Sequence, residues 1–317
     1  MRACLAFCLL LLTADKAAAQ FVDDEANTGG IRLVQKEKVL LQVGIVVQST
    51  GSPLKGVVGS TPIPIDWPEQ QVKIIDEKAT SQVRHVSYET VSGTVQRMVV
   101  SIPFVRAGDT AQALVTFEIT RHYIAAPEST DGFSIPSKPD RLVRQYLASS
   151  PYIETRNARI RQVAKETTRD VEGDWHKVEA IYDWVRDHVE YKKGPLKGAF
   201  AALKDGSGDC EELTSLFIAM CRINDTPART VWIPGHCYPE FYLVDKEGNG
   251  HWFPCQVAGT RAFGSMPEHR PILQKGDNFR VAEFKDRQRY VAEHLKIADV
   301  PGGRKPRVDF IRKVLPR

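Results

Sequence analysis

The sequence feature that most constrains the fold is a glycine-containing turn, residues 206–209, that leads directly into an amphipathic helix. Asp209 fits the N-cap of that helix, and Glu212, three residues later, completes a capping-box pattern. Cys210 then occupies the first helical position, where the helix dipole and the free backbone N–H groups favour a thiolate. The pattern predicts a nucleophilic cysteine at the start of a packed helix. The alternative is that Cys210 is a small buried hydrophobic residue.

Length and charge set the broad class of the protein. The chain has 317 residues, enough for two domains, and its 43 basic and 39 acidic residues give a net charge of +4. No lysine- or arginine-rich block stands out, so nucleic acid is not an expected partner. No cofactor is expected either.

Residues 1–19 have the pattern of a secretory signal. Arg2 is followed by a short apolar run and then by three alanines that end at Ala19. We expect cleavage after Ala19 and export to the periplasm or secretion. No later segment reaches the roughly 18 apolar residues of a membrane helix, so no integral membrane segment is expected after cleavage.

The rest of the chain divides into segments that differ in the spacing of their apolar residues. Residues 20–127 contain short runs rich in valine and isoleucine, separated by turn residues, which is typical of a β-sandwich. The proline-rich stretch 61–68 is expected to be a loop or a sheet edge. Residues 128–154 are predicted to be a linker, 155–275 a domain of helices followed by antiparallel strands, and 276–317 a C-terminal extension. The fold class is therefore α+β.

The strands after the Cys210 helix supply the candidate base. Two strands, 235–244 and 251–257, are joined by the turn 245–250. A cysteine nucleophile needs a base within about 2.6–3.2 Å and a third group that orients this base. His236 is the best candidate base, and the hairpin is expected to bring Gln256 roughly opposite it.

The four cysteines that follow the signal, Cys210, Cys221, Cys237 and Cys255, all lie in this region. Such crowding indicates local chemistry or one local disulfide. The expected register also brings Cys237 and Cys255 opposite one another, and two interpretations stay open: a disulfide that fixes the hairpin, or two reduced thiols in the core.

Four segments resemble the transglutaminase-like superfamily, a rearranged relative of the papain-type cysteine protease core. They are Gly208-Asp209-Cys210, the helix exit from Arg222 to Arg229, the strand from His236 to Glu240, and Trp252-Phe253-Pro254. The resemblance implies a nucleophile helix packed on an antiparallel sheet, and a triad with Cys210 as nucleophile and His236 as base. The Asp that the family has as third member falls on Gln256 here. The preceding β-sandwich is similar to domains that accompany exported bacterial members.

The implied activity is acyl transfer on the amide bonds of a peptide or protein through a Cys210 thioester, which water or an amine discharges. The backbone N–H of Cys210 is expected in the oxyanion hole, with Trp184 or Tyr191 as a further donor. Two alternatives remain. One is a catalytically silent module that binds cell-envelope peptides or proteins. The other is a zinc site, which strand alternation opposes because it sends the candidate ligands to opposite faces; they are Cys210, His236, Cys237, His251 and Cys255.

Overall fold

The computed structural model describes residues 30–316. The predicted signal sequence and its cleavage site lie outside these residues. Among the described residues, no helix is both long enough and apolar enough to cross a bilayer.

The first domain is a sandwich of two four-stranded antiparallel sheets. Its strands along the first part of the chain are β1 (Arg32–Gln48), β2 (Leu54–Ile63), β3 (Gln70–Ala79), β4 (His85–Val91), β5 (Val95–Val105) and β6 (Thr110–Ala125). One sheet contains β1, β6 and β3, and the other contains β2, β5 and β4. Alternate residues of the long strands, such as Leu41, Val43 and Ile45 of β1, point between the sheets and are buried there, as the period of a strand requires.

The end of the chain returns to this sandwich. The segment 276–317, expected as an extension, contains β14 (His294–Asp299) and β15 (Arg307–Leu315). β14 pairs with β2, and β15 pairs with β1, so each sheet gains its fourth strand from the chain's end. The sandwich is therefore built from both ends of the described chain, with the second domain inserted between β6 and β14.

The proline-rich stretch is partly strand. Pro62 lies within β2 and is aligned with Arg97 of β5, whereas β14 pairs with β2 only between residues 55 and 60. Pro62 thus has a strand on one side only, which is where a residue without an N–H is tolerated.

The second domain packs helices against a five-stranded sheet. The helices are α1 (Arg141–Arg144), α2 (Ala158–Thr168), α3 (Asp174–His188), α4 (Ala199–Asp205) and α5 (Cys210–Ile223). The sheet has the order β12-β11-β10-β9-β13, with β9 (Ala228–Ile233), β10 (His236–Val244), β11 (Gly250–Gln256), β12 (Ala262–Phe263) and β13 (Gln274–Lys275). Two further short strands, β7 (Glu190–Tyr191) and β8 (Ser207–Gly208), pair in parallel beside α5.

Helix α5 forms the centre of this domain. Every residue from Glu212 to Ile223 is buried, and α2, α3 and α4 surround the helix on the side away from the sheet. On the sheet side it meets Phe241, Phe253 and Cys255. These contacts fix the axis of α5, so the position of its first residue, Cys210, is set by a buried core and not by a surface loop.

A buried cluster of charges joins the two domains on the opposite face of the sheet. The ammonium group of Lys275 lies 2.6 Å from a carboxylate oxygen of Glu69, in the sandwich, and 2.6 Å from one of Glu240, on β10. Arg229 of β9 pairs with the other oxygen of Glu240 at 2.9 Å, and its guanidinium lies 3.9 Å from the ring centre of Trp252. The strand that carries His236 is therefore tied to the sandwich through Glu240.

Candidate active site

The turn before Cys210 has the geometry that its sequence predicts. Helix α4 ends at Gly206, whose φ of +64° is readily adopted only by glycine. At Gly208 a Cβ atom would lie 2.4 Å from the side chain of Glu212, so a larger residue would displace the cap. Asp209 caps α5 by accepting the N–H of Glu211, and the Glu212 carboxylate accepts the N–H of Asp209 in return. The predicted capping box is thereby confirmed.

Strands β7 and β8 bring a second segment to this turn. The N–H of Lys192 donates to the carbonyl of Gly208 at 2.7 Å, and Tyr191 is aligned with Gly208. Partial burial and the negative charges of Cys210 and Asp209 raise the pKa of Tyr191. Tyr191 is half exposed and lies near enough to Cys210 for the charge of a thiolate to act on its hydroxyl. Trp184, the other candidate donor, stacks on His188 with ring centres 4.3 Å apart.

The structure brings Cys210, His236 and Gln256 together. His236 is the first residue of β10, and its imidazole lies close enough to the Cys210 sulfur for each group to shift the pKa of the other. On its other side, Nε2 of His236 lies 2.8 Å from Oε1 of Gln256. When Nε2 donates to this oxygen, Nδ1 is the nitrogen left with a lone pair, the tautomer in which His236 is able to accept a proton.

The register of the hairpin differs from the predicted one by two residues. Glu240 is aligned with Pro254. Extending this antiparallel alignment by two residues places Gln256 opposite Tyr238 and diagonal to His236. Diagonal neighbours are about 7–8 Å apart at the backbone, and the long side chain of Gln256 spans this offset. The predicted faces are correct, since Phe253 and Cys255 point to the core while Trp252 contacts Arg229.

Hydrogen bonds from α3 fix the last residue of β11, Gln256. Tyr182 and Arg186 of α3 donate to the Gln256 carbonyl at 2.8 and 3.0 Å. These bonds fix the backbone from which the Gln256 side chain reaches His236.

The charges at the site favour an ion pair between Cys210 and His236. Hydrogen bonds from the Cys237 thiol, from His236 and from the Cys237 backbone N–H lower the pKa of Cys210 to about 5, against the opposing effect of burial. Burial acts to lower the pKa of His236, but the hydrogen bonds to Cys210 and Gln256 outweigh it and raise that pKa. Near neutral pH this arrangement stabilises a thiolate beside an imidazolium.

Glu211 and Glu212 follow Cys210, and their negative charges would disfavour ionisation of its thiol. Their effect is smaller than that of two free carboxylates. Burial raises the pKa of Glu211 to about 7, against its ion pair with Arg289. Burial also raises the pKa of Glu212, whose carboxylate accepts backbone N–H groups from Lys197 and Asp209. Part of the negative charge beside Cys210 is thus removed by partial protonation of Glu211 near neutral pH, and the Glu212 carboxylate is held by backbone N–H groups on the side of the cap.

Sequence reasoning missed Cys237. Alternation along β10 sends its side chain to the face opposite His236, which suggested that it lies away from Cys210. Because Cys210 sits at the very start of α5, next to the start of β10, both His236 and Cys237 are close enough to shift its pKa, although they point to opposite faces of the strand. The adjacency of His236 and Cys237 in the sequence was the available signal.

Of the two interpretations left open for Cys237 and Cys255, the structure shows the reduced thiols. Cys237 and Cys255 are both free and buried, and the Cys255 sulfur contacts the Pro239 carbonyl at 3.9 Å. The register explains this, because it sets the two cysteines diagonally instead of opposite. His251 bonds Asp245 at the far end of the hairpin. Within residues 30–316 no three Cys, His, Asp or Glu side chains are grouped as metal ligands.

Residues 161–257 match the family model of the transglutaminase-like superfamily. The second domain is transglutaminase-like. The matched segment runs from α2 to the residue after Gln256, so it contains Cys210, His236 and Gln256. Its helix–sheet arrangement confirms the predicted fold.

Solved structures extend the likeness beyond the transglutaminase-like domain. A protein from Cytophaga hutchinsonii described as a "Putative Cysteine Protease" superposes with a TM-score of 0.60 at 19% identity, over 90% of this chain and 93% of that one. This shows a shared fold that includes the sandwich. A "putative protease" from Parabacteroides distasonis gives a TM-score of 0.28 at 13% identity, over 70% of this chain and 47% of that one, too low to show a shared fold. Comparison with curated proteins gives no match.

Gln256 provides the first test of the site. We expect Gln256→Ala to lower kcat by roughly 10- to 100-fold, since it removes orientation of His236 but not the base itself, whose contribution is typically 10²–10⁴-fold. Gln256→Glu keeps the length needed for the diagonal contact and should retain activity. Steady-state kinetics across pH 5–9 measures both effects. If both variants have the kinetics of the parent, Gln256 does not orient the base.

Proposed function

We propose that this protein is an exported cysteine enzyme that acts on amide bonds of peptides or proteins, with Cys210 as nucleophile, His236 as base and Gln256 as the residue that orients His236. The observation that carries the proposal is the 2.8 Å hydrogen bond between His236 and Gln256, beside a Cys210 whose pKa His236 lowers and which in turn raises the pKa of His236. The sequence of residues 1–19 supports export.

In the proposed reaction the Cys210 thiolate attacks the carbonyl carbon of the amide. The Cys210 backbone N–H, free at the start of α5, donates to the oxyanion, and Tyr191 is the side chain best placed to add a second donor. His236, as imidazolium, gives its proton to the leaving amine, and a thioester forms. Water or an amine, deprotonated by His236, then attacks the thioester. Water yields a carboxylic acid and an amine yields a new amide, and Cys210 is regenerated in both cases.

A screen against a peptide-amide library tests this proposal. Release of ammonia or amine and incorporation of a labelled amine are followed separately, so that hydrolysis and transfer are distinguished. We expect at least one of the two with a subset of peptides. Binding of peptides without either reaction would favour the second candidate, a silent module that binds cell-envelope peptides or proteins, which is supported by the neutral Gln256 in the place where the family has Asp.

The pH dependence of Cys210 alkylation separates the two candidates without a substrate. With a pKa of about 5, Cys210 is about 90% thiolate at pH 6, whereas an ordinary thiol is under about 1%. Iodoacetamide should therefore modify Cys210 rapidly at pH 6, and the rate should fall only below about pH 5. Mass spectrometry of the Cys210 peptide, with glutathione as reference, measures this. A rate that rises only above pH 8 would contradict an activated nucleophile.

A further inference from the structure

The turn that leads into His236 is held by an arginine that the reaction described above does not use. Ile233 and His236 are directly paired, so the turn between β9 and β10 consists only of Pro234 and Gly235. Arg270 donates through Nη1 to the carbonyl of Pro234 at 2.9 Å. Because this carbonyl lies only two residues before the base, the bond fixes the backbone from which the His236 side chain projects.

Glu268 in turn holds Arg270 in place. One carboxylate oxygen of Glu268 accepts the backbone N–H of Arg270 at 2.9 Å, and the other accepts Nη2 at 2.6 Å. Hydrogen bonds to an ionised acceptor are roughly twice as strong as neutral ones. The two bonds restrain both the backbone and the guanidinium of Arg270, so the guanidinium has a fixed direction toward the Pro234 carbonyl.

The segment that carries this arginine is bound to the sandwich. It comprises residues 264–273, between β12 and β13, and lies outside the residues that the family model matches. Met266 exchanges two backbone hydrogen bonds with Ile124 of β6, at 2.8 and 3.1 Å. The side-chain amide of Gln70, on β3, donates to the carbonyl of Ile272 at 3.0 Å and accepts the N–H of Ile272 at 2.6 Å, and both bonds are buried. The segment therefore connects the sandwich with the turn before the base.

Arg270 also acts on the site through its charge. Burial acts to lower the pKa of His236, and the positive charge of Arg270 acts in the same direction. The hydrogen bond to Glu268 raises the pKa of Arg270, and the negative charges of Glu268 and Cys210 add to this rise. An effect of charge must therefore be separated from an effect of position. Glu268 makes this separation possible, because it holds Arg270 but has the opposite charge.

We propose that Arg270 is a positioning residue for His236, which holds the turn before β10 through its bond to the Pro234 carbonyl and ties that turn to the sandwich. This proposal rests on the proposed function in one respect, that His236 acts on Cys210. The sandwich, to which none of the three proposed triad residues belongs, thereby contributes to the geometry of the site.

The test is the rate of Cys210 alkylation by iodoacetamide as a function of pH, in the full chain after reduction and removal of the reductant. Arg270→Ala and Glu268→Ala both release the turn before His236 and weaken the stabilisation of the thiolate. Both should therefore raise the midpoint, the first by about one pH unit, equivalent to a tenfold lower rate well below the midpoint. Charge alone would raise the midpoint in Arg270→Ala and lower it in Glu268→Ala, because the two variants remove charges of opposite sign. Arg270→Lys keeps the charge and a donor, so its midpoint should stay close to that of the parent.

Arg287→Ala is the matched control. Arg287 is an exposed arginine that also donates to a backbone carbonyl, that of Asn278 at 3.3 Å, and its loss should leave the midpoint unchanged. Circular dichroism verifies folding. If Arg270→Ala does not fold, Arg270→Met takes its place, because it keeps the apolar part of the side chain without a donor.

Hydrogen exchange of the peptide that covers residues 233–237, measured by mass spectrometry, reports on the turn itself. Exchange should be faster in Arg270→Ala and Glu268→Ala than in the parent. Faster exchange together with a higher midpoint in both variants supports the proposal. Opposite shifts of the midpoint in the two variants, or unchanged midpoints and exchange rates, would overturn it. Slow alkylation of the parent at pH 6 would instead count against the proposed function, while the exchange measurement still tests the role of Arg270, so the two failures are distinguishable.

Discussion

Cys210→Ala is expected to abolish amide hydrolysis and amine transfer, a loss on the order of 10⁴-fold or more, as for other nucleophiles that act together with a base. The reason is that no other described thiol is able to replace it. Burial raises the pKa of Cys221, Cys237 and Cys255 well above the ordinary value, so these three remain protonated and enclosed. The library screen described above, repeated with the variant, measures the loss.

The fold should survive this change. Cys210 is only partly buried, and the cap of α5 is made by Asp209 and Glu212, not by the thiol. The unfolding midpoint of Cys210→Ala should therefore stay close to that of the parent. Cys221→Ala, which removes a sulfur from the interior of the same helix, is the control that should keep activity and lose stability. Turnover retained in folded Cys210→Ala would show that another residue is the nucleophile.

Lys275→Ala is expected to have the largest effect on stability, about 3–5 kcal/mol. Lys275 is 3% exposed at its side chain, and its ammonium group is shared by Glu69 and Glu240, each 2% exposed. Burial acts to raise the pKa of Glu69, but Lys275 and Arg121 together hold it below the ordinary value. Removal of Lys275 leaves two carboxylates buried with less compensation, one from each domain.

Urea unfolding followed by tryptophan fluorescence and circular dichroism measures this loss. Lys296→Ala is the matched control, because Lys296 lies exposed on β14 of the sandwich and its loss should not shift the midpoint measurably. A shift as small as that of the control would mean that the carboxylates are protonated or hydrated in the folded protein. A separate early transition of the second domain would instead locate the loss at the interface between the domains.

The sequence by itself determined the local part of the candidate site. Asp209, Glu212 and the glycines before them specify a helix start at Cys210 through contacts between residues at most a few positions apart. The turn 245–250 and the alternation of polar and apolar residues on either side specify a hairpin and its two faces. Such features depend on backbone preferences and on short-range hydrogen bonds, which a sequence pattern records directly.

Only the tertiary structure decided the contacts that depend on register and on distant pairing. The two-residue shift in the hairpin makes Gln256 a diagonal partner of His236 and separates Cys237 from Cys255. Cys237 comes close to Cys210 because the start of α5 meets the start of β10, where alternation no longer separates the two faces. Likewise, β15 pairs with β1 across more than 250 residues of chain. Pairing over such distances is selected by the packing of the whole core, which no local stretch of the sequence contains.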